Sequence, residues 1–198
     1  MSWNKLEVEI EGVAPTILQN GQCADPMNPF AKQIKAITSK GKKQTDADRI
    51  EVMRLEWHSF LYLNAQGQVC WPGENIEQMI RSAAKAERKG KSVETGLMCP
   101  EDWPILYDGP KTVDGLWADE RFRNVSPTVN PTTKGRVMRC RPMFSKWCLR
   151  FQILWNDEQI GDVDTIRRWL DYAGANVGLS TWRPKHGRFV VKRCEEVK

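Results

Sequence analysis

From Trp147 to Trp155 every second residue is large and apolar: Trp147, Leu149, Phe151, Ile153 and Trp155. Lys146, Cys148, Arg150, Gln152 and Leu154 fill the alternate positions. A period of two places the apolar set on one face of an extended strand, and that face must be covered. The chain is therefore committed to a sheet with one buried side. Lys5 to Glu11 repeats the pattern, with Leu6, Val8 and Ile10 inward and Lys5, Glu7, Glu9 and Glu11 outward. The acidic outer row argues against nucleic acid lying across that part of the sheet.

Helical periodicities supply the cover. Asn28-Pro29 pairs a cap residue with proline at the first helical position, and Phe30, Ile34 and Ile37 follow, which predicts a helix from about 29 to 39. Thr45 or Asp46 caps a second helix with a stripe of Ile50, Met53, Trp57 and Phe60 or Leu61. Asn75, with Gln78 three residues later, opens a third helix, in which Ile76, Met79, Ile80, Ala83 and Ala84 fill the helical template. Asp162 or Asp164 caps a last helix with Val163, Ile166, Trp169, Leu170 and Ala173 inside, ended by Gly174.

Further strands are expected at Arg136 to Phe144 and Arg188 to Cys194, and a hairpin at Leu61 to Leu63 and Val69 to Trp71. The stretch 94–130 is irregular and rich in Trp, Pro and Gly, with short strands at Gly96 to Met98 and Ile105 to Tyr107. A long insertion of this kind serves as a thumb, a lid or a subunit contact. The order of elements predicts an α+β fold: one elaborated domain over 1–198, with an antiparallel sheet, helices on one face and β-α-β-β-α-β connectivity.

Charge is distributed unevenly. The net charge of the 198 residues is +5, yet from Arg121 to Asn156 there is no acidic residue and there are eight basic ones. The remainder carries 22 basic against 25 acidic side chains. Such a field attracts a polyanion. The candidate nucleic-acid-binding residues in that stretch are Arg136, Arg139, Arg141, Lys146 and Arg150. Trp182 opens a second cluster, Arg183, Lys185, Arg188, Lys192 and Arg193, with His186 beside it, where an indole offers a stacking surface for a base and the cations contact the backbone. Lys40, Lys42 and Lys43 form a third group in a loop expected to be mobile. Arg81, Lys85 and Arg88, off the apolar stripe of the third helix, extend the basic surface. The reading requires these cations to converge in one electropositive trough.

Other chemistries find less support. Cys23, Cys70, Cys99, Cys140, Cys148 and Cys194 are scattered without a C-x-x-C pair, so buried reduced thiols are expected, with no metal and no cofactor. There is no P-loop, dinucleotide fingerprint or nucleophile elbow. Apolar runs are too short to cross a bilayer, and the N-terminus has no signal-peptide pattern, so the protein is expected to stay where it is made. Two alternatives to a non-enzymatic binder remain open. One is a metal-independent endoribonuclease using His58 or His186 as acid or base. The other is an interaction subunit that docks through Trp103 and Trp117 in the insertion.

Two segments carry a family likeness. Val69-Cys70-Trp71-Pro72-Gly73-Glu74-Asn75-Ile76-Glu77-Gln78-Met79-Ile80-Arg81 resembles the strand, Pro-Gly turn and helix of the RAMP superfamily, RNA-binding proteins of CRISPR effector complexes. Gly178-Leu179-Ser180-Thr181-Trp182-Arg183-Pro184-Lys185-His186-Gly187-Arg188-Phe189 resembles that superfamily's glycine-rich loop and last strand, although here glycine stands only at the loop's two ends. The resemblance implies a ferredoxin-like, RRM-type core and a protein that holds single-stranded DNA or RNA, often self-associated as a filament. It implies that the 178–187 loop and the helix near Asn75 face the nucleic acid. Small size and high Trp content are similar to those of bacteriophage proteins. The expected setting is therefore phage replication, recombination or counter-defence in the cytoplasm of a bacterial host.

Overall fold

The alternation at both ends of the chain becomes the centre of a sheet. A computed structural model describes residues 3–129 and 134–197. Along the chain the elements are β1 (Trp3–Gly12), β2 (Thr16–Ile17), α1 (Pro29–Thr38), α2 (Asp46–Ser59), β3 (Cys70–Trp71), α3 (Gly73–Ala84) and α4 (Gly90–Gly96). Next come β4 (Leu97–Met98), β5 (Trp103–Leu106), α5 (Val113–Ala118), β6 (Arg123–Val129), β7 (Arg136–Phe144) and β8 (Cys148–Asn156). The chain closes with α6 (Asp157–Ile160), α7 (Val163–Tyr172) and β9 (Phe189–Val197). They divide into two compact units, the first from residues 3–16, 63–108 and 144–197, the second from 17–62, 109–129 and 134–143.

Unit 1 holds the larger sheet, in the order β3-β5-β8-β1-β9, with β4 also paired to β8. The pairs β1–β8, β1–β9, β5–β8 and β3–β5 are all antiparallel. β1 and β5 flank β8 with α3 in their connection, and β8 and β9 flank β1 with α7 in theirs. Two interlocked split β-α-β units result, which is the β-α-β-β-α-β arrangement. Leu6, Val8 and Ile10 stand opposite Ile153, Phe151 and Leu149 in register, all buried. Ile76, Met79 and Ile80 of α3 and Ile166, Trp169 and Leu170 of α7 are buried as well, and complete this core. Each such side chain contributes about 1.5–3 kcal/mol on leaving water.

α3 starts at Gly73, two residues before the expected Asn75, with Pro72 at the cap and no side-chain cap bond. Packing explains the glycine: a Cβ there would lie 1.8 Å from the Cys99 carbonyl oxygen. α7 is capped by Asp162, whose carboxylate accepts from the Thr165 amide at 2.7 Å. Gly174 does not end it. The chain continues through a wide turn, Ala173–Val177, to Gly178.

Unit 2 pairs α1 with α2 and carries a three-stranded sheet, β2-β7-β6. Asn28 accepts from the Phe30 amide at 2.9 Å. Thr45 and Asp48 exchange the two bonds of a capping box. The expected stripe of α2 is corrected: Ile50 is 62% exposed, and the buried residues, Leu55, Glu56, Trp57 and Ser59, all lie in the second half of the helix. The Trp57 indole is buried and donates to the Phe122 carbonyl. β6 is a seven-residue strand where irregular chain was expected. The stretch 94–130 is thus divided: β4 and β5 join the sheet of unit 1, while α5 and β6 belong to unit 2. Among the described residues no helix is long and apolar enough to cross a membrane.

Candidate nucleic-acid interface

The loop joining α7 to β9 is held from several sides. The Leu179 amide donates to the Gly187 carbonyl at 2.8 Å, the Gly187 amide to the Pro15 carbonyl at 2.8 Å, and the Thr16 hydroxyl to the Leu179 carbonyl at 2.6 Å. Within this frame Trp182 adopts φ 44°, a left-handed conformation that costs a residue with a side chain about 1–2 kcal/mol. The residue is 37% exposed, and its ring lies 5.9 Å from that of His186. Arg183, Lys185 and Arg188 are exposed around it, and among the described residues none of the three forms an ion pair. Arg188 instead donates to the Pro184 carbonyl at 2.9 Å, which braces the loop from within. Burial and then Lys185 lower the pKa of the His186 imidazole.

The acid-free stretch is divided between the two units. Arg136, Arg139 and Arg141 lie in unit 2, Lys146 and Arg150 in unit 1. Their carboxylates come from elsewhere in sequence. Arg139 is ion-paired with buried Glu56 of α2, and Arg150 with Glu9 of β1 at 2.9 Å. Arg121 and Arg123 pair with Asp119 and Glu120, immediately ahead of the stretch. Arg141 is buried, donates to Gln19 at 2.9 Å and stacks over Phe60. Desolvation outweighs the pull of Arg139 and raises the Glu56 carboxyl pKa. Arg136 and Lys146 are exposed and form no ion pair among the described residues.

Lys40 is taken up by Asp48 at 2.6 Å, a contact that lowers the Asp48 carboxyl to about 2, while Lys42 and Lys43 stay exposed in a short turn. On the open side of the unit 1 sheet, the outward glutamates of β1 are answered by cations. Glu9 faces Arg150, Arg193 lies 3.6 Å from Glu7 and Lys192 lies 3.1 Å from Glu11. A groove of about 360 Å³ crosses this lattice between Trp103, Gln152 and Arg193. Arg81, Lys85 and Arg88 meet one residue outside the expected set, Lys91, round another groove of about 460 Å³.

His58 is half-buried, with its ring 5.3 Å from that of Trp57 and 6.3 Å from that of Trp117, and burial lowers its pKa. Trp117 is itself half-buried, and Arg123 lies over its ring at 4.9 Å. Trp103 donates to the Cys99 thiol at 3.2 Å. Burial pushes the thiols of Cys70 and Cys99 up to about 12. Among the described residues no group of three His, Cys, Asp or Glu is placed to hold a metal ion.

These features define an α+β protein on a ferredoxin-like antiparallel sheet, with a braced aromatic and cationic loop at one end of that sheet. No protein-family model and no curated protein matches the chain. Among solved structures it is similar to a chain of the type III-B Cmr-beta complex, described as bound to cognate target RNA and determined by cryo-EM. The TM-score is 0.55 at 11% identity, covering 99% of this chain and 61% of that one. The likeness is one of fold, and it agrees with the ferredoxin-like core expected from the sequence.

Proposed function

We propose that the protein binds single-stranded nucleic acid without catalysing a reaction on it, and that the 178–187 loop is its principal contact. The observation that carries this reading is the braced loop, which presents an exposed indole beside three cations in a molecule whose other arginines are largely matched to carboxylates. Stacking of a base on Trp182 contributes about 1–3 kcal/mol, and Arg183, Lys185 and Arg188 hold the backbone on either side. The fold neighbour is described as bound to target RNA, which supports a nucleic-acid ligand here, although this chain spans only 61% of that neighbour. Self-association along the strand and a phage setting belong to the same proposal. His58 packs against the rings of Trp57 and Trp117, and His186 against that of Trp182, so in this reading both histidines serve packing.

The test is a binding titration with single-stranded DNA, single-stranded RNA and duplex at two salt concentrations. Arg183→Glu with Lys185→Glu is expected to weaken single-strand binding more than tenfold and to flatten the log-log salt slope by about 1.4. Trp182→Ala is expected to cost about 5- to 150-fold, with Trp182→Phe in between. Wild-type affinity in both variants overturns the reading.

A further inference from the structure

The last turn of α3, the connection after it and the start of α4 carry Arg81, Lys85, Arg88 and Lys91 within eleven residues. Spacing alone does not bring them together, because Lys91 belongs to the next helix. Arg88 makes the turn: its φ of 61° and ψ of 20° place it in the left-handed region, and the chain reverses from α3 into α4. The four side chains then line one open groove of about 460 Å³. Gly90 lies under the Lys85 stem, where an added Cβ would meet Lys85 Cγ at 2.8 Å. The only carboxylate in the lining, Glu94, is engaged by Arg81 at 2.7 Å. Glu87, in the same turn, points to Arg168 and Trp169 instead. Lys85, Arg88 and Lys91 form no ion pair among the described residues.

An exposed indole stands beside this groove. Lys91 and Thr95 also line a neighbouring hollow of about 420 Å³, together with Trp3, Asn156 and one exposed carboxylate, Glu158. Trp3 is 46% exposed. Trp3 and Asn156 are register partners at the start of β1 and the end of β8. The 178–187 loop, by contrast, is tied to Pro15 and Thr16, beyond the other end of β1. Ten residues of β1 at about 3.3 Å each separate the two ends, so the two aromatic and cationic groups lie about 30 Å apart at opposite poles of unit 1.

We propose that Trp3, Lys85, Arg88 and Lys91 form a second single-strand site, reached by the same nucleic-acid chain that engages Trp182 when that chain is long enough to span both poles. The proposal rests on the function proposed above and deepens it. Trp3 stacks a base and the three cations take phosphates, repeating at one pole the chemistry of the other. At about 3.4 Å per stacked nucleotide the separation corresponds to about nine nucleotides, fewer for an extended strand.

The experiment compares a 4-nucleotide and a 20-nucleotide single-stranded probe by fluorescence anisotropy on three proteins: wild type, Lys85→Gln/Arg88→Gln/Lys91→Gln and Trp3→Ala. Folding is checked by thermal melting. The expected result is that the triple variant binds the 20-mer at least about tenfold more weakly with a salt slope flatter by about 2, and that Trp3→Ala also weakens the 20-mer. The gain in affinity from 4-mer to 20-mer is expected to shrink in both. A folded triple variant with wild-type affinity and slope on the 20-mer overturns the second site. Should the Arg183→Glu/Lys185→Glu protein lose binding at the same time, the Trp182 reading stands without it. A wild-type protein that binds neither probe overturns both.

Discussion

Glu56 has almost no contact with water, and its carboxylate accepts from the Arg139 guanidinium and from the Cys140 backbone. Arg139 therefore serves the interior of unit 2 before it can serve any ligand. Removing its charge leaves a buried carboxylate with an unmet acceptor, a loss of about 1–3 kcal/mol. Arg139→Gln is accordingly expected to lower stability measurably in a denaturant titration while leaving the salt slope of nucleic-acid binding unchanged. A flattened slope with intact stability would place Arg139 on the ligand instead. The case shows what charge counting along a chain can and cannot read. The acid-free stretch is real, but Glu56 and Glu9 reach Arg139 and Arg150 across 83 and 141 residues of sequence. The Trp182 cluster was legible because its indole and cations are neighbours in sequence and no strand or helix intervenes. Trp3 and Lys91 were not, since only the sheet register and the Arg88 reversal bring them to one pole.

Elements with a strong period were readable nearly to the residue: β1, β8, α1 and the buried stripe of α3. β6 was hidden by its composition. Pro127 interrupts it, and a proline that cannot donate to a ladder argues against a strand. It is tolerated because β6 is an edge strand, paired only with β7, where Pro127 stands opposite Met138. Gly174 was misread for a related reason, since glycine near the end of an apolar stripe suggests a helix stop. Its actual role is contact: an added Cβ would lie 2.2 Å from the Phe189 carbonyl oxygen and 3.0 Å from the Phe189 ring. Backbone cannot swing aside as a side chain can, so Gly174→Ala is expected to cost about 1–3 kcal/mol through overpacking at the junction of α7 and β9. Thermal melting is expected to show a fall of about 2–12 °C. Gly21→Ala is the control, because nothing lies within 4 Å of a Cβ there, and it is expected to melt with the wild type. Equal melting of both variants would mean that the junction relaxes freely.

At the scale of the whole molecule, the β-α-β-β-α-β core was inferable from the order of periodic segments, but the division into two units was not. The chain passes between them four times, at residues 16/17, 62/63, 108/109 and 143/144, and no change of composition marks these points. The division separates the cations into populations with different expected roles, and salt dependence can weigh them. Six cations at the two proposed poles of unit 1, Lys85, Arg88, Lys91, Arg183, Lys185 and Arg188, are exposed without carboxylate partners among the described residues. If all six neutralise phosphates of one strand, the log-log slope for a 20-mer is about −4, and loss of either pole halves it. Arg150 adds little, because releasing it requires Glu9 to be left unmatched on the sheet. A slope of about −6 or steeper would require further contacts, and the exposed Lys42, Lys43 and Arg136 of unit 2 are the residues to supply them. Neutralising those three is then expected to return the slope to about −4. If unit 2 stays off the strand, the same triple substitution leaves the slope where it was.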